Sequence, residues 1–140
     1  MSQFSSNFNA VDRYLRRYRR EYMAPLGLKG LHARLLLDIL EHPGISQDGL
    51  AQKAGFDKSN IARQVAVLEE AGYVSRKPSK ADKRVMELYP AEKTLVLQPE
   101  LLNAMEQWEE KLVSCLTGEE KQVLTGLLGK LRAAAQEDEG

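Results

Sequence analysis

Cysteine and long apolar runs are both scarce in this sequence. Cys115 is the only cysteine, so no internal disulfide can form, and a single thiol is typical of a reducing compartment such as the cytoplasm. No run approaches the roughly 18 apolar residues that a membrane-spanning helix needs. The serine- and arginine-rich beginning is similar to a transit peptide, but Asp12, Glu21 and a helical pattern that continues into the fold argue against one. We therefore expect a single cytoplasmic domain over residues 1–140, with no membrane partner.

Motifs for catalysis and for cofactor binding are also missing. The sequence has no glycine-rich phosphate loop, no nucleophile elbow, no H-E-x-x-H helix and no Cys/His set with zinc spacing. His32 and His42 are too isolated for a metal site. Cys115 falls in an apolar helical stretch, where a buried, inert thiol is expected. We expect a binding protein that is not an enzyme and that uses no cofactor or metal.

What the sequence does contain is an uneven distribution of charge. Its 20 basic and 20 acidic side chains cancel over the whole chain. Residues 1–90 carry 15 Lys and Arg against 10 Asp and Glu, whereas residues 91–140 carry 5 against 10, so the two parts have formal charges of +5 and −5. Because a basic region attracts polyanions, this polarity supports a nucleic-acid partner for residues 1–90.

The segment from Ile45 to Tyr89 contains the clearest structural pattern. Ser46 is a suitable N-cap for a short helix that Gly55 ends, and Asp57 can cap a second helix from Lys58 to Ala71. On this second helix the apolar residues recur at helical spacing and form one buried stripe, while the opposite face is mostly polar. The stripe consists of Ile61, Val65 and Leu68, and the opposite face of Ser59, Arg63, Ala66 and Glu70, flanked by Asn60, Gln64 and Val67.

A basic hairpin follows the second helix. Gly72 ends the helix, and two alternating stretches, residues 73–77 and 85–89, predict strands on either side of a turn-rich tip. A further helix from Leu28 to His42 and a short strand at Ile45 are expected before the pair of helices. Helix, glycine turn, helix and basic hairpin together predict a winged helix-turn-helix over residues 28–90. The fold class is mainly α with a small β-hairpin wing.

These residues resemble the MarR-type winged-helix transcriptional regulators. The resemblance covers the central half of the chain most strongly. It rests on Arg63, Leu68-Glu69, Gly72, Arg76, the wing triplet Asp82-Lys83-Arg84, Leu88-Tyr89 and Glu92-Lys93. It implies a homodimeric transcription factor, usually a repressor, that binds a pseudo-palindromic operator in double-stranded DNA. It also implies that Asp82 orients Arg84.

Ten residues are candidates for contact with DNA. The second helix would enter the major groove, where side chains reach base edges or phosphates. The wing would bring Arg84 to the minor groove, whose negative potential attracts arginine. The alternatives are plain solvent exposure of these residues and a winged helix that binds another protein instead of DNA. The candidates are Lys58, Ser59, Asn60, Arg63 and Gln64 in the helix, and Lys77, Lys80, Asp82, Lys83 and Arg84 in the hairpin.

Helical patterns flank the winged unit on both sides. The first helix is predicted from Asn7 to Met23, after a frayed start, in a dimerisation segment of residues 7–24. The second segment, residues 91–135, is expected to kink or break at Gln98-Pro99 and to open its last helix with a capping box at Thr117. An acidic, disordered tail is expected over residues 136–140. The apolar surface of these helices exceeds what one small domain can cover, which predicts a dimer. The expected interface includes Val11, Leu15, Val123, Leu124, Leu127, Leu128 and Leu131.

A small-molecule site is the last prediction. By resemblance, many relatives bind phenolic or other aromatic anions between the dimerisation helices and the winged unit. Tyr14, Arg17, Tyr18 and His32 are candidates to line such a site for a small phenolic or anionic effector. Each of the four is equally expected as a core or a surface residue.

Overall fold

The computed structural model describes residues 2–139, and side chains as far as residue 138. Within these residues the α-helices are α1 (Gln3–Met23), α2 (Gly30–Glu41), α3 (Gln47–Ala54), α4 (Lys58–Glu70), α5 (Glu92–Val113) and α6 (Gly118–Glu139). The strands are β1 (Ile45–Ser46), β2 (Val74–Pro78) and β3 (Met86–Pro90). The predicted class, mainly α with a small hairpin wing, is confirmed. In the described part of the chain, no helix is long and apolar enough to cross a membrane.

Local sequence signals form the helix-turn-helix, α3 and α4. Ser46 Oγ accepts a hydrogen bond from the Gly49 amide at 2.9 Å, and Asp57 Oδ1 accepts one from the Asn60 amide at 2.7 Å, so both predicted N-caps are present. Gly55 ends α3 with φ +77°, a left-handed conformation that residues with side chains rarely adopt. The direction of α4 is thus set by a cap on one side and a glycine turn on the other.

The core lies between α2, α3, α4, α5 and strand β3. The strand order is β1-β3-β2 with antiparallel neighbours, so β3 is central. Leu88 of β3 pairs with Ile45 on one side and Arg76 on the other, and it is fully buried. Each large apolar side chain buried here contributes roughly 1.5–3 kcal/mol. The cluster includes Leu36, Ile39, Leu50, Ile61, Val65, Leu68, Leu88 and Leu101.

The flanking helices are covered to different degrees. α1 packs along α5. In α6, by contrast, every described side chain is exposed except that of Gln136, which is partly covered. The predicted capping box is present: the Thr117 amide donates to Glu120 Oε1 at 2.9 Å, and the Glu120 amide donates to Thr117 Oγ1 at 3.1 Å. α6 is therefore a regular helix with little support from the rest of its own chain.

The boundaries of several elements differ from the predictions. α1 begins at Gln3 and not at Asn7, because Ser2 Oγ caps the Ser5 amide at 3.1 Å and Phe4 stacks on Phe8 one turn later. α2 is shorter than predicted, running from Gly30 to Glu41. α4 ends at Glu70, one residue before the predicted Ala71. Strands β2 and β3 each lie one residue later than predicted. The fraying expected over residues 1–6 is therefore wrong for residues 3–6, which are helical, and Met1 lies outside the described residues.

Of the kink or break expected at Pro99, the break is wrong, because α5 is one continuous helix through this residue. Proline removes one backbone donor and leaves the carbonyl of residue 95 without its helical partner. Leu95 and Pro99 are both exposed, so water can solvate that carbonyl. Thr94 and Leu101, on either side of Pro99, are fully buried and hold both halves of the helix on the core.

The predictions for the tail and for Cys115 are also wrong. Residues 136–139 belong to α6, and Gly140 lies outside the described residues. Alanines favour helix before this point, and Arg132 and Gln136 hydrogen-bond to backbone carbonyls of α3, which ties the helix down. Cys115 is exposed, because α5 ends at Val113 and leaves the thiol in the turn before α6.

Candidate nucleic-acid interface

The polar face of α4 is exposed and lies opposite its buried apolar face, as predicted. Ile61, Val65 and Leu68 are at most 1% exposed. Ser59 and Arg63 lie on the opposite, exposed face together with Ala66 and Glu70. None of the ion pairs or side-chain hydrogen bonds within residues 2–139 involves Ser59 or Arg63, so their polar groups are available to a ligand. Helix α4 thus exposes a short polar surface while its other face packs in the core.

Lys58 is also exposed but has a neighbour. Its Nζ lies 3.4 Å from Asp48 Oδ2, and both side chains are mostly in solvent. An exposed pair of this kind contributes less than about 1 kcal/mol. Lys58 can therefore exchange Asp48 for another anion at little cost.

Asn60 and Gln64 lie on the flank of α4 that faces α2, and both are half-buried. Gln64 Oε1 is 2.7 Å from His32 Nε2, and Gln64 Nε2 donates to Asn60 Oδ1 at 3.2 Å. His32 is buried, so of the two placements that the sequence left open for it, core or surface, the structure has the first. Gln64 therefore has protein partners at both ends of its amide group, unlike Ser59 and Arg63.

The tip of the hairpin, residues 79–85, is a compact turn. The Ser79 amide donates to the Val85 carbonyl at 2.8 Å, and the Val85 amide donates to the Asp82 carbonyl at 2.9 Å. Asp82 also accepts three hydrogen bonds from Arg84: from the backbone amide at 3.1 Å, from Nε at 3.1 Å and from Nη2 at 3.2 Å. The side-chain and backbone hydrogen bonds from Arg84 lower the pKa of the Asp82 carboxyl below its ordinary value. Asp82 thus orients Arg84, whose side chain is 91% exposed.

The other wing cations are less constrained. Lys80 and Lys83 are exposed, and none of the ion pairs in the described part of the chain involves them. Lys77 Nζ lies 5.2 Å from the centre of the Tyr89 ring, which places its charge over the aromatic face. The exposed cations of the hairpin are therefore three lysines and the guanidinium of Arg84, which Asp82 orients.

Contacts that the sequence did not predict join the wing to α4, and join the turn after α4 to α5. Arg76 of β2 bonds Glu69 of α4, with Nη2–Oε1 at 2.9 Å and Nε–Oε1 at 3.1 Å. Thr94 Oγ1 donates to the Tyr73 carbonyl at 2.7 Å, and Lys93 Nζ donates to the Ala71 carbonyl and lies 4.0 Å from the centre of the Tyr73 ring. The only sequence signal was the opposite charge of Glu69 and Arg76 on either side of the glycine turn.

Comparison with known proteins identifies the family. The family model described as the MarR family matches residues 26–85. The uncharacterized HTH-type transcriptional regulator YybA of Bacillus subtilis (strain 168) is 33% identical over 103 residues, which cover 74% of this chain and 69% of that protein. This chain belongs to the MarR family. Its members are transcriptional regulators, so the chain is a regulator and not an enzyme.

Other regulators and solved MarR structures share the sequence or the fold over much of their length. The HTH-type transcriptional regulator BilQ of Clostridium symbiosum is 36% identical over 92 residues, 64% of this chain and 62% of BilQ. A MarR protein from Peptoclostridium difficile superposes with a TM-score of 0.87 at 28% identity, covering 98% of this chain and 90% of that one. A mutant MarR from E. coli complexed with operator DNA has the same fold, with a TM-score of 0.82 at 22% identity and 91% of each chain covered.

The residues considered for an effector have partners of their own in this MarR-family chain. The rings of Tyr14 and Tyr18 stack at 6.4 Å, and Lys111 Nζ of α5 lies 4.6 Å from the centre of the Tyr18 ring. Arg17 Nε pairs with Glu21 Oε1 at 2.9 Å on the same helix. His32 contacts Gln64 instead, so it is engaged on the side of α2 that faces α4.

Two clefts in the described part of the chain lie elsewhere. One of about 1040 Å³ lies between the α3–α4 turn and the end of α6, where Arg132 donates to the Gln52 carbonyl at 2.8 Å. One of about 510 Å³ lies between the end of α5 and the start of α6. None of the four effector candidates lines either cleft.

The residues predicted for the dimer interface are mostly exposed in the single chain. Leu15 packs partly against the core, whereas Val11 is 49% exposed. On α6 all the predicted positions are exposed, with Val123 at 62% and Leu127 at 55%. Phe4 and Phe8 of α1 add to the exposed apolar surface. The set on α6 is Val123, Leu124, Leu127, Leu128 and Leu131.

Proposed function

We propose that this MarR-family chain is a DNA-binding transcriptional repressor that acts as a homodimer on a pseudo-palindromic operator in double-stranded DNA. The observation that carries the proposal is the pairing of α4 with the wing. Helix α4 buries one face in the core and exposes Ser59 and Arg63 on the other, and the adjacent wing fixes Arg84 in solvent. A helix of this kind reads base edges in the major groove, and an exposed arginine suits a narrow minor groove.

The dimer is supported by the uncovered apolar surface of α6. A helix with two internal glycines has low intrinsic stability, and it persists when its apolar side chains are buried. An apolar surface of this extent on a soluble domain typically marks a protein interface. A second copy of the chain, bound through α1 and α6, supplies the missing cover. A two-fold dimer then presents two α4 helices to half-sites about 10 base pairs apart.

Candidates for base or phosphate contact remain the ten residues predicted from the sequence. Among them, Ser59, Arg63, Lys80 and Lys83 have the fewest competing partners within the chain. A small phenolic or anionic effector that releases the DNA also remains a prediction. The stacked Tyr14 and Tyr18 beside Lys111 are its strongest support, because an aromatic pair beside a cation suits an aromatic anion.

The test is selection of duplexes from a random DNA library, followed by affinity measurements at several salt concentrations. The proposal expects a two-fold symmetric consensus and a dissociation constant that rises steeply with salt, because phosphate contacts release counterions. Replacing Arg63 by alanine should weaken binding at specific bases, or, if Arg63 contacts a phosphate, reduce the salt dependence by about one ion. Arg16→Ala, an exposed arginine on α1, is the matched control and should leave affinity nearly unchanged.

Two results would contradict the proposal. Failure of the wild-type protein to select any duplex would exclude DNA as its partner. Capture of a protein through α4, in place of DNA, would favour the interaction-module alternative. In that case Arg63→Ala would reduce protein capture and would not change the protein's affinity for duplex DNA.

A further inference from the structure

A chain of three polar side chains connects the core to the exposed surface of α4. His32 lies in the first turn of α2 and is 7% exposed. Its Nε2 is 2.7 Å from Gln64 Oε1, and Gln64 Nε2 donates to Asn60 Oδ1 at 3.2 Å. The two residues of α4 are four apart and so lie on one edge of the helix. We name these three residues the amide relay.

The direction of the amide relay follows from the placement of the Gln64 amide group, whose Nε2 lies against Asn60 Oδ1 and whose Oε1 lies against His32 Nε2. A carboxamide oxygen only accepts hydrogen bonds and a carboxamide nitrogen only donates them. With the Gln64 nitrogen on Asn60 and the Gln64 oxygen on His32, the hydrogen bond to His32 requires the tautomer that carries the proton on Nε2. Every bond then runs outward, from His32 to Gln64 to Asn60.

The last amide of the relay is therefore presented in one orientation. Asn60 turns its oxygen toward Gln64, and none of the hydrogen bonds within residues 2–139 uses Asn60 Nδ2. Asn60 lies in the first turn of α4, where its backbone amide is held by Asp57 Oδ1 at 2.7 Å. Both the backbone and the side chain of Asn60 are thus fixed, with the NH2 group left to donate outward.

We propose that His32 and Gln64 are positioning residues that hold Asn60 as a hydrogen-bond donor to a base in the operator. The inference rests on the proposed function. In the major groove, guanine presents two acceptors, N7 and O6, whereas recognition of adenine by asparagine needs the amide oxygen to accept from N6. An Asn60 oxygen turned toward Gln64 disfavours adenine. The amide relay therefore favours guanine, which offers two adjacent acceptors, over thymine, which offers only O4, and over adenine and cytosine, whose amino groups donate.

Two substitutions at Gln64 test the direction of the relay. Gln64→Met keeps a side chain of similar length and removes both hydrogen bonds, so Asn60 can rotate and the preference at one base pair per half-site should relax. Gln64→Glu still accepts from His32 but cannot donate. Asn60 then turns over, donates to the introduced carboxylate and presents its oxygen outward. The preference should move from guanine toward adenine or cytosine, whose amino groups donate, by at least about 5-fold.

A charge control separates this effect from simple repulsion. Val67→Glu places the same charge on the exposed side of α4, at a residue that takes no part in the relay. It should weaken binding to all duplexes by a similar factor, because the added carboxylate repels phosphate. It should leave the base preference unchanged. Affinities for matched duplexes that differ only at the selected base pair give the ratio for each variant.

The protonation of His32 gives a readout that does not depend on DNA. Nitrogen-15 spectra of the wild-type dimer in mildly alkaline solution, where a free histidine is neutral, should show the proton of His32 on Nε2. Gln64→Met should allow the proton to occupy either ring nitrogen of His32. A proton on Nδ1 alone in the wild type would reverse the polarity of the relay and overturn the inference.

The remaining outcomes distinguish the inference from the proposed function. If the wild type selects DNA and both Gln64 variants keep its base preference, with only affinity or thermal stability lowered, the relay is a structural contact and the inference is wrong. The proposed function stands in that case. If the wild type selects no duplex at all, the proposed function fails and the inference fails with it.

Discussion

Arg84 is held in the wing by a carboxylate and exposes almost its entire side chain to solvent. The pair with Asp82 adds little to folding, because exposed ion pairs contribute less than about 1 kcal/mol. It does restrict the guanidinium, so less conformational entropy is lost when a groove or a phosphate is contacted.

We expect Arg84→Ala to weaken operator binding about tenfold, equivalent to about 1.4 kcal/mol, while changing the unfolding free energy by less than about 0.5 kcal/mol. Lys83→Ala, which removes an adjacent cation without a carboxylate partner, is the matched control and should cost less. Affinity at fixed salt and chemical denaturation measure the two effects. Equal affinity of the Arg84 variant and the wild type would exclude a DNA contact by this wing arginine.

Asp38 is a carboxylate of the core that is poorly satisfied. Its Oδ2 is buried and has no hydrogen-bond partner among the described residues, and the nearest cation, Arg34 Nε, is 3.6 Å away. Burial raises the pKa of Asp38 above its ordinary value, although Arg34 and Lys53 oppose the shift. The folded state therefore binds a proton more readily than the unfolded state, and the stability contributed at low pH is lost as pH rises through the raised pKa.

We expect Asp38→Asn to remove this part of the pH dependence and to raise the unfolding free energy at neutral pH by up to about 1 kcal/mol. Glu100→Gln, at an exposed carboxylate on α5, should leave the pH profile unchanged. Chemical denaturation from mildly acidic to neutral pH checks both. A variant that is less stable than the wild type at neutral pH would mean that the pair with Arg34 outweighs the burial of the charge.

Residue identity and helical period were sufficient to predict which polar side chains of α4 are exposed. Ser59 and Arg63 lie on the predicted face because α4 places residues about 100° apart and its apolar stripe fixes the buried side. Gln64 has one of its two protein partners on another helix, 32 residues earlier in the chain. Periodicity contains no information on such a contact, so the amide relay was visible only in three dimensions.

At the scale of elements, predictions succeeded where the signal lies within a few residues. The caps at Ser46, Asp57 and Thr117 each involve an amide three residues later, and all three are present. The break predicted at Pro99 failed because the cost of one missing hydrogen bond is small on a solvated helix surface. The burial of Thr94 and Leu101, which holds α5 together, depends on distant parts of the chain.

Gly55 and Gly126 both have free space around them but differ in backbone conformation. Substitutions at these two residues therefore test the effect of backbone conformation without steric overlap. A Cβ added at Gly55 or at Gly126 would meet no atom within 4 Å. Gly126 has helical backbone on α6, whereas Gly55 has φ +77°. Gly126→Ala should therefore raise the unfolding free energy by about 1 kcal/mol, the difference in helix propensity. Gly55→Ala should lower it by about 1–2 kcal/mol, because a side chain is strained in the left-handed region.

Denaturation of the two glycine variants against the wild type measures this contrast. If Gly126→Ala were less stable than the wild type, another helix would have to pack closely against Gly126 in the folded protein. Only such a neighbour would clash with the added methyl group. Gly126 lies away from the side of α6 that carries Leu124, Leu128 and Leu131, so we expect no such contact.

At the scale of the whole molecule, two parts of the chain differ in net charge and in how much apolar surface they expose. The winged unit lies in the basic part of the chain and has its own core, whereas the acidic part ends in α6, whose leucines are uncovered. Arg132 of α6 bonds backbone carbonyls of α3, so α6 and the helix-turn-helix are linked within one chain. Composition predicted that the flanking helices need a partner. It did not predict this link, because an arginine that bonds backbone carbonyls has no sequence signature.

Leu128 gives the most direct test of the homodimer. It is 45% exposed on α6, between Leu124 and Leu131. A leucine that becomes fully buried on association contributes roughly 1.5–3 kcal/mol, and a carboxylate in its place must be desolvated without a partner. We therefore expect Leu128→Glu to dissociate or unfold the dimer and to reduce operator affinity, because a monomer contacts only one half-site.

Sedimentation at micromolar concentration gives the mass of the wild type and of each variant, and circular dichroism separates dissociation from unfolding. Gln122→Glu carries the same charge on the opposite side of α6 and should remain dimeric. If Leu128→Glu stays dimeric with normal affinity, the interface lies elsewhere than on this face of α6. A wild-type mass near the formula value of 15.7 kDa would contradict the dimeric repressor itself, since a single α4 cannot read both halves of a pseudo-palindrome.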